Sequence, residues 1–342
     1  MKRLFSVVAV ALAVLAVVFA VPVQAGADVS MLMPGGDMAL LGFAGIVITP
    51  ESLRSLGQGF NAAFNMGFSG VKSTWNLIAM RVPSTTKTEN YGWLKDFPGM
   101  REWIGQRQIN NLEAAAASLT NKPWEHTLGV DADDIADDQL GIYAPMFQMQ
   151  GETVARHPDE LVWGLLPTGF AVKGFDGQYF FDTDHLGYTA AGAETSWSNT
   201  GGGSGAPWFL MDLSRNFMKP LIFQERQKAE FVALNRPNDQ GMFMDNKALY
   251  GAKARYVAGF GFHQLAYGSK ATLDATSFKA ARTALETQHR SDGSPLPVRA
   301  THLVCGPSRR DEAEAVLVEK LASGASNPLY KAVELVVDPS LG

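Results

Sequence analysis

The hexapeptide FFDTDH carries Asp182, Asp184 and His185, the side chains a divalent metal needs. Two carboxylates and an imidazole so close together could give oxygen and nitrogen ligands to zinc or iron. No third or fourth ligand stands at a usable spacing, however. The plainer reading is a polar turn after a buried aromatic strand, and we expect no metal. The acidic run Asp131–Asp138 resembles a calcium loop only in charge. It lacks the glycine at the sixth position and the glutamate at the twelfth. Asp131, Asp133 and Asp134 better suit a helix N-terminus, where carboxylates meet free amides. In GGGSG no strand leads into Ser204 and no helix follows, so it is not a nucleophile elbow. No Lys-Ser/Thr pair follows the glycines, so it is not a phosphate loop. Cys305 is the single cysteine and lies in an apolar strand, the setting of an inert buried thiol. The six histidines are dispersed. These residues point to no catalytic group, no cofactor site and no enzyme.

The wider composition narrows the classes. The chain has 342 residues and a formal net charge of −5, with 46% hydrophobic and 18% charged residues. That length supports one large or two ordinary domains. The charge offers no basic excess for gripping phosphates, which excludes sequence-reading nucleic-acid binding. One cysteine excludes a disulfide framework and a cysteine-rich zinc site. Thirty-four glycines and 17 prolines predict many turns and an α+β or β-rich layout. The first 30 residues have two cations, a long apolar run and small residues around Ala25 and Ala27. That is the pattern of a secretory signal peptide, nearly long enough to span a bilayer.

The elements that must position any site are legible in outline. Residues 28–45 read as a linker. Thr49 or Pro50 begins a helix with Leu53, Leu56, Phe60 and Phe64 at helical spacing. Residues 101–130 read as two extended arms, around Trp103–Ile109 and Trp124–Val130, joined by a tip. A long helix is predicted from about 134, kinked at Pro145, with Ile135, Leu140, Tyr143, Phe147 and Val154 as its stripe. A second helix follows over 158–166. NTGGGSG reads as a flexible tip. WFLMDLSR, KPLIFQER and EFVALNR read as short strands with turns between, and ARYVAGFGFHQLAYGSK as another. From 272 a helix–strand–helix–strand run forms an α/β layer.

Residues 90–113, NYGWLKDFPGMREWIGQRQINNLE, are dense in aromatics and charges without chemistry. With DDQLGIYAPMFQ (137–148), HPDELVWGLL (157–166), FDGQYFFDTDH (175–185), WFLMDLSRNFMKPLIFQERQ (208–227), MDNKALYGAKARYVAGFGFHQLAYGSK (244–270) and THLVCGPSRRDEAEAVL (301–317), they resemble the major head (capsid) subunits of Mu-like tailed phages and prophages. The likeness runs from about Ile46 to the C-terminus.

The resemblance implies an α+β fold of the Hong Kong 97 capsid type, with an axial domain, a peripheral domain with a spine helix, an N-terminal arm and an extended loop. It divides the chain into a signal-like extension and linker (1–45), the arm (46–100), the extended loop (101–130), the spine helix and peripheral domain (131–205), a β-rich segment (206–270) and the α/β axial domain (271–342). In many proteins of this fold a strand like PLIFQ follows the α/β layer. Here it precedes it, which leaves 206–270 open between the two domains.

A shell subunit needs surfaces that bury against neighbours, and aromatics and arginines are enriched at such contacts. Trp93, Phe97, Arg101, Trp103, Arg107 and Trp124 are the candidates; the alternative is that they fill the subunit's own core. The implied partners are other copies in hexamers and pentamers, a scaffold, a maturation protease and a portal. DNA is enclosed without sequence-specific binding. No cofactor and no membrane are expected. The implied location is the virion, with assembly in the host cytoplasm, where an export signal would defeat itself. Three explanations stand for residues 1–45: a true start at Met31 or Met38, removal during head maturation, or a domesticated relative that is exported. The first is adopted. The competing functions are an encapsulin-like shell of the same fold and a secreted or membrane-anchored hydrolase.

Overall fold

The computed structural model describes residues 47–91, 118–137, 142–320 and 323–342. Its first element is set by local chemistry. The Thr49 hydroxyl accepts from the Ser52 amide, and the Ser52 hydroxyl accepts from the Thr49 amide. This reciprocal cap, with Pro50 in the first turn where no amide is needed, starts helix α1, Pro50–Gly70. Leu53, Phe60 and Phe64 are buried along it. Strands β1 (Ala79–Pro83), β2 (Thr88–Asn90), β3 (Ser118–Thr120) and β4 (Lys122–Asp131) follow. The Asp131 carboxylate then accepts from the Asp133 amide and caps the short helix α2, Ala132–Ala136.

The long helix α3 runs over Tyr143–Leu165, starting later than the sequence pattern suggests. Pro145 lies in its first turn, where its missing amide costs nothing, so the expected kink there has no cause. Pro158 lies inside, and the expected second helix at 158–166 is a continuation of the first. Burial of Ala155, Val162 and Trp163 on either side of the proline outweighs its cost of about 3 kcal/mol.

The rest is mostly strand: β5 (His185–Tyr188), β6 (Glu194–Trp197), β7 (Thr200–Gly203), β8 (Trp208–Met211) and β9 (Leu221–Leu234). Helix α4 (Gln240–Asp245) joins β9 to β10 (Lys247–Phe260), and β11 is Ala266–Lys270. Helix α5 (Ala275–Glu286), β12 (His302–Cys305), helix α6 (Arg310–Leu317) and β13 (Glu334–Val337) give the expected helix–strand–helix–strand run. KPLIFQER and EFVALNR are not two strands. They form the single strand β9, whose second half alternates between half-buried and exposed positions.

Two larger sheets, in the orders β1-β9-β10-β4 and β13-β12-β8-β11-β7, hold nine of these strands, and β2-β3 and β5-β6 form two-stranded sheets. The β-rich segment 206–270 therefore divides: β9 and β10 belong to the first sheet, β8 and β11 to the second. Strand β4 confirms an extended arm around Trp124–Val130, but its partner is β10, from Lys122 opposite Tyr256 to Asp131 opposite Lys247. The other expected arm, around 103–109, lies outside the described residues. NTGGGSG is not a free tip. Thr200–Gly203 is the edge strand beside β11, so close that a Cβ on Gly203 (φ +90°) would sit 2.3 Å from the Ala271 amide nitrogen.

Strand β8 is buried on both faces, as a central strand covered on both sides must be. Trp208 and Leu210 point into a core with Phe278, Leu285, Leu303 and Cys305. Phe209 and Met211 point into a second core with Trp163, Leu166, Phe181, Leu221 and Val304. A third core joins α1 and α3 to β4 and β10 through Leu53, Phe60, Phe147, Val130 and Tyr250. There the helices touch backbone to backbone. A Cβ on Gly67 would lie 1.9 Å from the Gln148 carbonyl oxygen, and one on Gly151 would lie 2.0 Å from that of Phe64. Among the described residues, no helix is long and apolar enough to cross a membrane.

Candidate functional site

The described residues on either side of 92–117 come together at one place. Strand β2 pairs with β3, from Thr88 opposite Thr120 to Asn90 opposite Ser118. Polar contacts lock this base. Asn121 donates to Ser84 Oγ and to the Thr86 carbonyl. The Glu89 carboxylate accepts from the Thr86 and Thr85 amides and the Ser84 hydroxyl, which hold its pKa down at about 2. The buried Tyr91 donates to Gln224 Oε1 at 2.6 Å. Five candidate contact residues, Trp93, Phe97, Arg101, Trp103 and Arg107, lie outside the described residues.

The sixth, Trp124, is half-buried in β4. Its indole N–H donates to the Tyr256 carbonyl at 3.0 Å, and its ring meets His157 edge-on at 4.4 Å. Burial pushes the His157 pKa down. These contacts engage Trp124 within its own subunit. We expect Trp124→Ala to lower the stability of the unassembled subunit by about 2–3 kcal/mol, below a fully buried tryptophan because the ring is half exposed. Urea unfolding measures this. If Trp124 served a neighbour instead, the alanine variant would unfold normally and fail only in assembly.

Other apolar side chains face outward. Phe243 is 82% exposed and Met244 67% exposed on α4, at the turn of the β9–β10 hairpin. Phe217 is 75% exposed in the loop before β9. Sequence periodicity could not flag them, because a six-residue helix with apolar residues on two faces has no readable stripe.

The fold also assembles a polar cluster that sequence spacing missed. Asp182 and Asp184 do not take part. Asp182 accepts from the Tyr179 and Thr183 amides, and Asp184 from the Gln178 side chain, which is the polar turn expected. His185, on β5, instead meets Asp176 and His263. Its Nδ1 is 2.6 Å from Asp176 Oδ2, and His263 Nδ1 is 3.7 Å from the same oxygen. The two imidazoles stack, with centroids 4.0 Å apart and planes at 11°. Phe175 covers the His263 ring at 5.0 Å, and Trp197 sits about 6 Å from both. Burial, with His185 adding to it, drives the His263 pKa to about 3, so that ring stays neutral. Burial raises the Asp176 pKa, but the hydrogen bond from His185 opposes it, and the carboxylate stays below its ordinary value. His263 comes from the 3₁₀ turn between β10 and β11 and Asp176 from the loop after α3, too far apart in sequence for spacing to join them.

Comparisons with known proteins give the chain its setting. The family described as "Mu-like prophage major head subunit gpT" matches residues 53–341. The chain is 39% identical over 302 residues to the major capsid protein of Escherichia phage Mu, covering 85% of this chain and 99% of that protein. It is 35% identical over 281 residues to the Mu-like prophage FluMu major head subunit of Haemophilus influenzae, covering 80% and 91%. Among solved structures, it is similar to the procapsid of bacteriophage JBD30, with 40% identity and a TM-score of 0.74 over 86% of this chain and all of that one. The JBD30 capsid follows with 29% identity and a TM-score of 0.67, over 87% of this chain and all of that one.

Proposed function

The chain belongs to the Mu-like prophage major head subunit family, and from that premise we propose how it works. It is a structural protein, the major capsid subunit of a Mu-like phage or prophage, and many copies build the head. The observation that carries this is the family match over 53–341 joined to the JBD30 procapsid likeness at a TM-score of 0.74. Copies associate as hexamers and pentamers into an icosahedral shell around double-stranded DNA. A closed point-group assembly repeats each contact at every subunit, so modest interfaces suffice. The outward Phe243, Met244 and Phe217, together with the 90–117 excursion, are the surfaces we assign to neighbours. The net charge of −5 suits a wall that encloses DNA without gripping it. A scaffold, a maturation protease and a portal complete the partner set, and assembly takes place in the host cytoplasm.

Residues 1–52 stand outside the family match. We place the start of the shell subunit at or after Met31, nearest Met38, because the apolar run Val7–Val18 has no use in a shell wall. Expression of residues 38–342 should yield closed particles by negative-stain electron microscopy. Intact-mass analysis of particles produced from the full reading frame should show residues 1–30 absent. Monomers under all conditions would overturn the function, and retained residues 1–30 would overturn the start.

A further inference from the structure

The buried Asp176–His185–His263 cluster has the composition of a metal site, and nothing in the capsid reading uses it. One ring nitrogen from each histidine and one carboxylate oxygen lie within 4.8 Å of one another. His185 is fully buried, the His263 side chain is 4% exposed, and the Asp176 side chain is 20% exposed. Two ring nitrogens, His185 Nε2 and His263 Nδ1, are buried with no hydrogen-bond partner. Leaving such an atom unpaired costs about 1–3 kcal/mol, and His263 Nδ1, 3.7 Å from Asp176 Oδ2, is the one that an ion held by that carboxylate would satisfy.

We infer that Asp176, His185 and His263 bind one divalent transition-metal ion, zinc being the best match, as a structural clamp with its open position toward solvent on the Asp176 side. Two histidines and one carboxylate are a donor set that zinc accepts. Two ligands about 2.1 Å from a tetrahedral ion stand about 3.4 Å apart. His263 Nδ1 and Asp176 Oδ2, at 3.7 Å, are close to that separation. His185 Nδ1, at 2.6 Å, is at hydrogen-bond length. An ionised carboxylate only accepts, so that nitrogen carries the proton in the metal-free form. Ligation moves the proton to Nε2, draws the ring back by less than an ångström and tilts it out of the stack. The shift gives up the His185 Nδ1–H···Asp176 Oδ2 hydrogen bond, which ligation of both atoms to one ion replaces.

The surroundings hold the ligands without competing for the ion. The Gln178 amide donates to Asp176 Oδ1, so Oδ2 is the oxygen that faces both histidines. Trp197, opposite His185 in the β5–β6 pair, donates to the Ala284 carbonyl and walls off the rings. The ion would tie the loop after α3 to the turn between β10 and β11. Its role is therefore stability of the subunit, independent of assembly.

The test uses unassembled subunit dialysed against chelator and then titrated with zinc chloride. We expect one zinc per chain by elemental analysis, a micromolar or tighter dissociation constant, and a melting temperature raised by several degrees. Cobalt in place of zinc should give the visible absorption of a tetrahedral nitrogen–oxygen site. Asp176→Asn keeps the size and an acceptor for His185. His263→Phe keeps the stack on Phe175. Each should fold, as judged by circular dichroism, and weaken zinc binding at least 100-fold. Should either variant fail to fold, the wild-type cobalt spectrum still decides. No stoichiometric binding by wild-type protein, a featureless cobalt spectrum, or undiminished zinc binding by both folded variants would overturn the assignment.

Discussion

Gly151→Ala, a single added methyl, is expected to lower subunit stability by about 3–5 kcal/mol, enough to leave much of the protein unfolded. The new Cβ would sit 2.0 Å from the Phe64 carbonyl oxygen and 2.8 Å from the Phe68 amide nitrogen. Both are backbone atoms of α1, so no side chain can swing aside. The helices must separate. Separation opens the core in which Phe60 stacks on Phe147 at 4.3 Å and packs edge-on to Tyr250. Overpacking a tight core ordinarily costs about 1–3 kcal/mol, and here the lost aromatic contacts add to it. The control lies on the same helix. Gly164 is exposed, and a Cβ there meets nothing within 4 Å. Gly164→Ala should therefore stabilise by roughly 0.5–1 kcal/mol through helix propensity alone. Urea unfolding of unassembled subunits measures both. Equal effects at the two positions would mean that the close crossing of α1 and α3 is not what holds this region.

What the sequence made legible were features decided within a few residues. Thr49 and Pro50 announce α1 because capping is local. Asp131 announces a helix start for the same reason, although it caps only the short α2. Features decided by distant contacts were misread. Pro158 reads as a helix start, yet buried Val162 and Trp163 carry the helix through it. Residues 227–229 read as a turn, yet β9 runs through them and Gln227 pairs with Arg255 of β10. Glycines 201–203 read as slack, yet they let β7 approach β11 closely. His185 was singled out, but its partners, Asp176 and His263, come together only when loop and turn pack against the sheet. The family resemblance supplied the function; spacing alone gave only the absence of known chemical motifs.

Replacing residues 95–114 with a short Gly/Ser turn is expected to leave a folded subunit that no longer closes into shells. The excursion enters and leaves through the β2–β3 ladder, and the contacts that hold this base are kept. Tyr91 stays bonded to Gln224, Asn121 to Ser84, and Leu119 keeps its carbonyl on the Gln224 amide. The cut must spare Leu119 and Asn121; a deletion reaching residue 122 would remove β3 and confuse folding with assembly. A shorter loop closes at lower entropic cost, so unfolding should change by less than about 1 kcal/mol. Assembly is another matter. The deleted span holds Phe97, Arg101, Trp103 and Arg107, types enriched at protein interfaces. A loss of even about 1.4 kcal/mol per contact is tenfold in each association constant, and a shell repeats that contact at every subunit. Circular dichroism with thermal melting reads folding, and light scattering with negative-stain microscopy reads assembly. An unfolded product would mean that these aromatics fill their own subunit's core. Normal shells would mean that the excursion binds no neighbour. Only a folded, shell-deficient product places the contacts between subunits.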